Sequence, residues 1–189
     1  MANQLDVKKQ IDVVFSIANT LRGTYQPDKY RDVILPMIIL RRLECALADT
    51  KDAVCEAYEA NPDIAEAMLR RKSGYPFFNT SKWTLAKLLG DAPQLPANLT
   101  TYIDAFSPNI KQIFSDLEFD KEIKKMHKGS KLTGVVRKFS ELDLDPKRVN
   151  NVAMGYMFEE VIRRFSENAE AGDHYTPREV VQLITRLAL

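Results

Sequence analysis

The chain has 189 residues, enough for one domain or for one domain and part of a second. With 45% hydrophobic and 28% charged residues, its composition is that of a globular protein and excludes the disordered and fibrous classes. The net charge of +1 hides an uneven distribution: residues 1–120 carry 14 basic and 16 acidic side chains, whereas residues 121–189 carry 13 and 10. Any electrostatic binding surface is therefore local, and the overall balance does not reveal it.

The cysteines and the N-terminus indicate the compartment. Cys45 and Cys55 lie ten residues apart in sequence of helical character, which predicts neither a disulfide framework nor a zinc site and fits a reducing environment. The polar N-terminus lacks the apolar core of a signal peptide. The longest apolar run, residues 33–40, is far shorter than the roughly 20 residues that cross a bilayer. We predict a cytoplasmic protein that does not associate with membranes.

Hydrophobic periodicity predicts helices throughout the first 168 residues. The first helix ends at Gly23, and the second contains Pro36, which predicts a kink or a short break there. No convincing series of alternating strand positions occurs, so the fold class predicted for this part is all-α. The predicted helices cover about 5–21, 27–47, 50–60, 62–72, 81–90, 97–106, 108–118, 130–141 and 149–166.

The end of the chain has a different character. Residues 167–173 are small and polar, as in a linker, and Thr176-Pro177 predicts a helix N-cap with proline in the first turn. A lone helix of about a dozen residues is marginal in water unless it packs, so we expect the chain to be part of something longer. The apolar face of this last helix comprises Val180, Val181, Ile184 and Leu187.

The sequence offers few groups that could carry chemistry. Its two histidines have no metal-ligand spacing with each other and a carboxylate. Gly129 and Gly134 flank four residues, as the glycines of a phosphate-binding loop do. However, Val135 and Val136 stand where Lys and Ser or Thr are required. We predict no catalytic residue and no metal site in this chain.

Residues 121–138, which we call the basic segment, concentrate positive charge. Seven basic side chains stand there against Glu122 alone. At this density the phosphate backbone of a nucleic acid is a sensible partner. An exposed helix face with solvated lysines explains the same pattern, and the two interpretations stay open on the residues alone. The seven are Lys121, Lys124, Lys125, Lys128, Lys131, Arg137 and Lys138.

Three motifs carry a family resemblance. Residues 172–181, GDHYTPREVV, closely resemble the Gly-x-[Phe/Tyr]-[Phe/Tyr]-Thr-Pro-Arg segment that opens the catalytic domain of type I restriction-modification modification subunits. Residues 18–23, 30–36 and 40–43 (ANTLRG, YRDVILP and LRRL) resemble the start of that family's N-terminal helical domain. Residues 154–162, MGYMFEEVI, are similar to its last helix before the catalytic part. The motifs stand in the family's order and span nearly the whole chain.

The resemblance implies a domain organisation and a cofactor site. Residues 1–168 correspond to the family's multi-helix N-terminal domain, and residues 169–189 to a linker and the first helix of a truncated α/β methyltransferase domain. The cofactor implied is S-adenosyl-L-methionine, whose amino-acid carboxylate a hydroxyl and the unpaired N–H groups of a helix N-terminus can hold. Its implied contacts are Asp173, His174, Tyr175, Thr176, Pro177 and Arg178.

The resemblance also implies an activity and partners. The family transfers a methyl group from this cofactor to N6 of adenine, in DNA sites chosen by a separate specificity subunit. The implied partners are that subunit, the restriction subunit, a second modification subunit and double-stranded DNA. This domain then serves subunit assembly and DNA clamping, with the basic segment against the DNA backbone. The family's glycine-rich loop and Asn-Pro-Pro-aromatic tetrapeptide are expected beyond Leu189, so this chain alone is expected to be inactive.

Two other interpretations remain open. The chain could be a free-standing helical module that binds protein partners without methyltransferase activity. It could also come from the related type II family, which fuses modification and cleavage in one polypeptide. The sequence downstream of Leu189 distinguishes the three.

Overall fold

The computed structural model describes residues 4–166, and this part of the chain is all-α, as predicted. Two short 3-10 turns, Pro27–Lys29 and Ala92–Gln94, join its α-helices, and within these residues the only β pairing is two isolated bridges. The predicted boundary at 168 and the last predicted helix lie outside the described residues and stay predictions. The helices are α1 (Gln4–Leu21), α2 (Arg31–Leu47), α3 (Lys51–Ala60), α4 (Glu66–Ser73), α5 (Leu85–Leu88), α6 (Leu95–Asp104), α7 (Pro108–Asp116), α8 (Phe119–Lys128), α9 (Leu132–Glu141) and α10 (Asn151–Ser166).

The second helix, α2, forms the centre of the molecule. Residues 33–40 are buried without interruption. This helix is surrounded by other elements along that stretch, so its sequence is apolar on all sides there rather than on one face. It packs against α8, α9 and α10, and α1 packs against α9 and α10. The helix is unbroken at Pro36, which removes only the hydrogen bond to the carbonyl of Asp32 in the first turn.

The helix α8 is the main element that the sequence analysis missed. The predicted helices left residues 119–129 unassigned, whereas the structure has a helix at Phe119–Lys128. Its apolar side consists of Phe119, Ile123 and Met126, all buried. Three apolar residues among four lysines give a narrow stripe, but its i, i+4, i+7 spacing is helical.

The hairpin of α3 and α4 lies beside the main core. Val54, Leu69 and Phe78 form a small apolar cluster of their own there. The prediction that a helix begins at Pro62 is wrong, because α4 begins at Glu66. The side chain of Asn61 instead accepts a hydrogen bond from the backbone N–H two residues later, at 3.1 Å, which stabilises a turn.

Candidate nucleic-acid interface

Four lysines of the basic segment share the outer face of α8. Because Phe119, Ile123 and Met126 point into the core, the lysines between and after them lie on the exposed side of the helix. Acidic side chains stand in the first turn and basic ones in the last, an order that favours the helix dipole. The exposed lysines are Lys121, Lys124, Lys125 and Lys128.

Ion pairs divide these four lysines into two groups. Lys121 pairs with Glu118, and this hydrogen bond raises the pKa of the lysine. Lys124 Nζ lies 3.3 Å from Oδ2 of Asp120. Within residues 4–166, Lys125 and Lys128 form no ion pair. The uncompensated positive charge of α8 therefore lies towards its C-terminal end.

Lys125 is held in place by an aromatic ring from the other end of the sequence. Its ammonium lies 4.1 Å from the centroid of the Tyr25 ring, a cation–π arrangement. Tyr25 is only 5% exposed, and its hydroxyl donates to the backbone carbonyl of Glu122 at 3.3 Å. Burial, assisted by Glu122, raises the pKa of this hydroxyl well above its usual value. The ring is therefore a fixed, neutral platform beneath a surface charge.

The remaining three cations of the basic segment belong to α9 and to the turn before it. Lys131 precedes the helix and is half-buried, and Arg137 is exposed. Lys138 donates to the backbone carbonyl of Ser16 in α1 at 3.2 Å. The structure thus places Lys138 against α1 and leaves Arg137 facing outward, on the side of α9 opposite its buried residues.

Two glycines allow α1 and its following loop to approach the basic segment closely. A Cβ atom at Gly129 would lie 2.5 Å from Oγ1 of Thr24, closer than real side chains come. A Cβ atom at Gly134 would lie 3.2 Å from Cγ2 of Thr20. These glycines, whose spacing is that of a phosphate loop, serve the packing of two chain segments instead.

The sequence analysis did not predict the role of Arg42, a buried arginine on α2 that it named only within the motif at residues 40–43. Arg42 is 4% exposed and donates to the carbonyls of Leu144 and Val149 at 2.7 and 2.6 Å. A third bond runs to Oδ1 of Asn151, the first residue of α10, at 3.0 Å. Burial lowers the pKa of Arg42, although a guanidinium stays charged in proteins.

The neighbouring charges of α2 extend this network. Arg41 donates to the carbonyl of Leu142 at 2.6 Å and pairs with Glu44. The second carboxylate oxygen of Glu44 accepts from the backbone N–H of Leu85 at 2.7 Å and from the hydroxyl of Tyr102 at 3.0 Å. The available signal was three charged residues, Arg41, Arg42 and Glu44, directly after the apolar run at residues 33–40, since such charges stay buried only when they are paired.

The predicted cofactor contacts lie outside the described residues and stay a prediction. Within residues 4–166, no group of three or more His, Cys, Asp and Glu side chains is placed to hold a metal ion. In the same range, no helix has the length and apolarity needed to span a bilayer. The cofactor contacts concerned are Asp173, His174, Tyr175, Thr176, Pro177 and Arg178.

The sequence was compared with protein-family models and with curated proteins. The model of the HsdM N-terminal domain matches residues 12–139, about two thirds of the chain. The chain belongs to the HsdM N-terminal domain family. It is therefore part of a modification subunit of a type I restriction-modification system. No curated protein matches the chain.

The match covers most of the interface described above. It runs from α1 to α9 and contains all seven cations of the basic segment. The buried α2 network also begins within it, at Arg41, Arg42 and Glu44. The motif at residues 154–162 lies beyond the matched range, so the resemblance there rests on the sequence pattern alone.

Proposed function

We propose that this chain is the N-terminal part of a subunit that methylates DNA, transferring a methyl group from S-adenosyl-L-methionine to N6 of adenine. In this proposal the subunit works in a cytoplasmic complex with a specificity subunit, a restriction subunit and a second modification subunit. The domain contributes to assembly of the complex and clamps double-stranded DNA. Its membership in the HsdM N-terminal domain family supports the proposal.

One observation carries the DNA-clamping part. The uncompensated cations of the basic segment follow one another from the C-terminal end of α8 through the turn to α9, and two of them are held against α1 and its loop. Lysine contacts to phosphate position a protein on DNA and carry no sequence information. The proposed role is therefore clamping, which leaves the choice of site to the specificity subunit.

The test is the salt dependence of DNA binding by the complex assembled with the full-length modification subunit. We expect the double variant Lys128→Gln/Lys131→Gln to reduce the slope of log affinity against log salt by about 1.8, because each lost phosphate contact removes about 0.9. The matched control is Arg71→Gln/Lys72→Gln on α4, which removes the same charge elsewhere. Equal slopes for the two variants would refute the assignment of this surface.

The cofactor part is tested by calorimetry with S-adenosyl-L-methionine. We expect the full-length subunit to bind and this 189-residue chain not to bind, because residues 173–178 supply one wall of a pocket completed downstream. Replacing Tyr175 and Thr176 by alanine in the full-length subunit should weaken binding. If the full-length subunit does not bind, the assignment of these residues to a methyl-donor site is wrong.

A second candidate function, a protein-interaction module whose parent subunit has no methyltransferase activity, is favoured by one feature of α10. Val152 and Tyr156 are 83% and 57% exposed and lie one helical turn apart on its outward face. The sequence downstream of Leu189 discriminates between the candidates. A glycine-rich strand-turn-helix followed by an Asn-Pro-Pro-aromatic motif supports the enzyme, and an unrelated domain there supports the module.

A further inference from the structure

We propose that the C-terminal half of α1 and the loop after it form a second side of the DNA-contact surface, with Arg22 as its phosphate-binding residue. The inference rests on the proposed clamping function of the basic segment. It extends that function to residues 16–25, which carry a far weaker sequence signal of nucleic-acid binding than the basic segment.

Four contacts join residues 16–25 to the basic segment, and they follow one another in antiparallel order. Because their order along one segment is the reverse of their order along the other, the two segments lie side by side over the whole stretch. From residue 16 to residue 22 this stretch measures about 9 Å, at 1.5 Å per helical residue. The pairs are Ser16 with Lys138, Thr20 with Gly134, Thr24 with Gly129, and Tyr25 with Lys125.

The outward side of this stretch is polar and ends in a cation. Ser16, Asn19 and Arg22 are exposed and recur every three residues, while Ile17 and Leu21 between them are buried. This spacing places the three polar side chains in one row along α1. The row therefore follows the exposed side of α1, starting at Ser16 beside the basic segment and turning away from Thr20 towards Arg22.

The backbone of Arg22 lies next to that of Tyr25, the residue whose ring supports Lys125. The two residues form an isolated β-bridge across the tight turn after α1, and the ring of Tyr25 lies under the ammonium of Lys125. Among the described residues, Arg22 has no acidic partner. Of the acids whose charge reaches Tyr25, Glu122 is half-buried, and Asp32 is paired with Lys29 and Arg31.

A phosphodiester backbone fits this arrangement. Exposed cations that form no ion pair with an acid repel one another and attract a polyanion. Each strand of a duplex carries one charge per about 3.4 Å of axis, so a 9 Å row spans about three phosphates. The planar guanidinium of Arg22 can hold one of them through two parallel hydrogen bonds, which a lysine cannot do.

The test compares Arg22→Gln with Arg71→Gln, an exposed arginine of α4, in the assembled complex. Fluorescence anisotropy of a labelled duplex is measured between 50 and 200 mM salt. We expect Arg22→Gln to reduce the slope of log affinity against log salt by about 0.9. Over this fourfold range of salt, the factor by which affinity falls should then be about 3.5 times smaller for the variant than for the parent. The Arg71→Gln slope should equal that of the parent, and both variants should keep the parent's melting temperature.

The outcomes separate this inference from the proposed function. If Lys128→Gln/Lys131→Gln lowers the slope and Arg22→Gln behaves like Arg71→Gln, the extension to α1 is wrong and the clamping function stands. If neither lowers the slope, both are wrong. If Arg22→Gln leaves the slope unchanged but weakens assembly of the complex, the row faces an acidic protein surface, and the inference is overturned.

Discussion

Replacing Arg42 by methionine removes the guanidinium that fastens the loop between α9 and α10 to the central helix. Methionine keeps an unbranched apolar stem in the space and removes only the donors and the charge. Two carbonyls, of Leu144 and Val149, and the side chain of Asn151 then lose their partner. The variant therefore measures how strongly α2 holds the start of α10.

The expected loss follows from the three hydrogen bonds. Hydrogen bonds to a charged group contribute about 1.5–3 kcal/mol each, which bounds the total at about 4.5–9 kcal/mol. Two effects reduce this sum: the variant no longer buries a charge, and the side chain of Asn151 is half-exposed and reaches water. We expect Arg42→Met to lower the free energy of unfolding by about 3–5 kcal/mol. Arg42→Lys keeps the charge without the planar fork and should lose about 1–3 kcal/mol.

Urea unfolding of the 189-residue chain, followed by circular dichroism, measures this loss. A domain stable by about 5–15 kcal/mol remains measurable after such a decrease. Arg71→Met is the control and should change the free energy of unfolding by less than about 0.5 kcal/mol. Hydrogen exchange should show lost protection in residues 144–151. A loss below about 1 kcal/mol for Arg42→Met would refute the argument that these bonds hold the loop.

Two further predictions use the same unfolding measurement. Gly129→Ala should lower the free energy of unfolding by about 1–3 kcal/mol, because its Cβ would lie 2.5 Å from Oγ1 of Thr24. Adding Thr24→Ala should restore part of that loss. If Gly129→Ala costs the same with Thr24 and with alanine at position 24, the contact is contradicted. Tyr102→Phe should lose about 1–2 kcal/mol at pH 7, because the carboxylate of Glu44 loses a donor. Burial raises the pKa of Tyr102 well above 10, whereas an unfolded tyrosine ionises at about 10. The free energy of unfolding of the parent should therefore fall as the pH rises above 10, and that of Tyr102→Phe should fall less. Parallel curves of stability against pH for the two proteins would contradict this prediction.

Apolar periodicity predicted most helices because most of them bury one wide face. The third predicted helix, at 50–60, differs from α3 by a single residue. The method failed at α8, where three apolar residues suffice because the lysines between them need no burial. The short break that was one predicted outcome at Pro36 does not occur, since a proline near the start of a helix removes only one hydrogen bond while packing on all sides keeps the helix intact.

The charges of the candidate interface were visible in the sequence, but their pairing was only partly predictable. Asp120 stands four residues before Lys124 within α8, so recognising this helix would have predicted that pair. Glu118, which pairs with Lys121, precedes the helix in a left-handed conformation, and helical spacing does not predict its contact. The support of Lys125 by Tyr25 joins residues 100 positions apart. No local pattern contains such a contact, and only the packing of the loop after α1 on α8 creates it.

These contacts explain two of the upstream motifs of the resemblance, those at residues 18–23 and 40–43. Residues 18–23 end α1 and begin the loop that packs on the basic segment. Residues 40–43 contain the arginines that bind the loop between α9 and α10, and Arg42 reaches Asn151 at the start of the helix that carries residues 154–162. Local helix propensity alone requires neither a buried guanidinium nor a close approach of backbone to α1. Residues 18–23 and 40–43 therefore help α1 and α2 to hold α8, α9 and α10 in place. This packing positions the proposed DNA-contact surface.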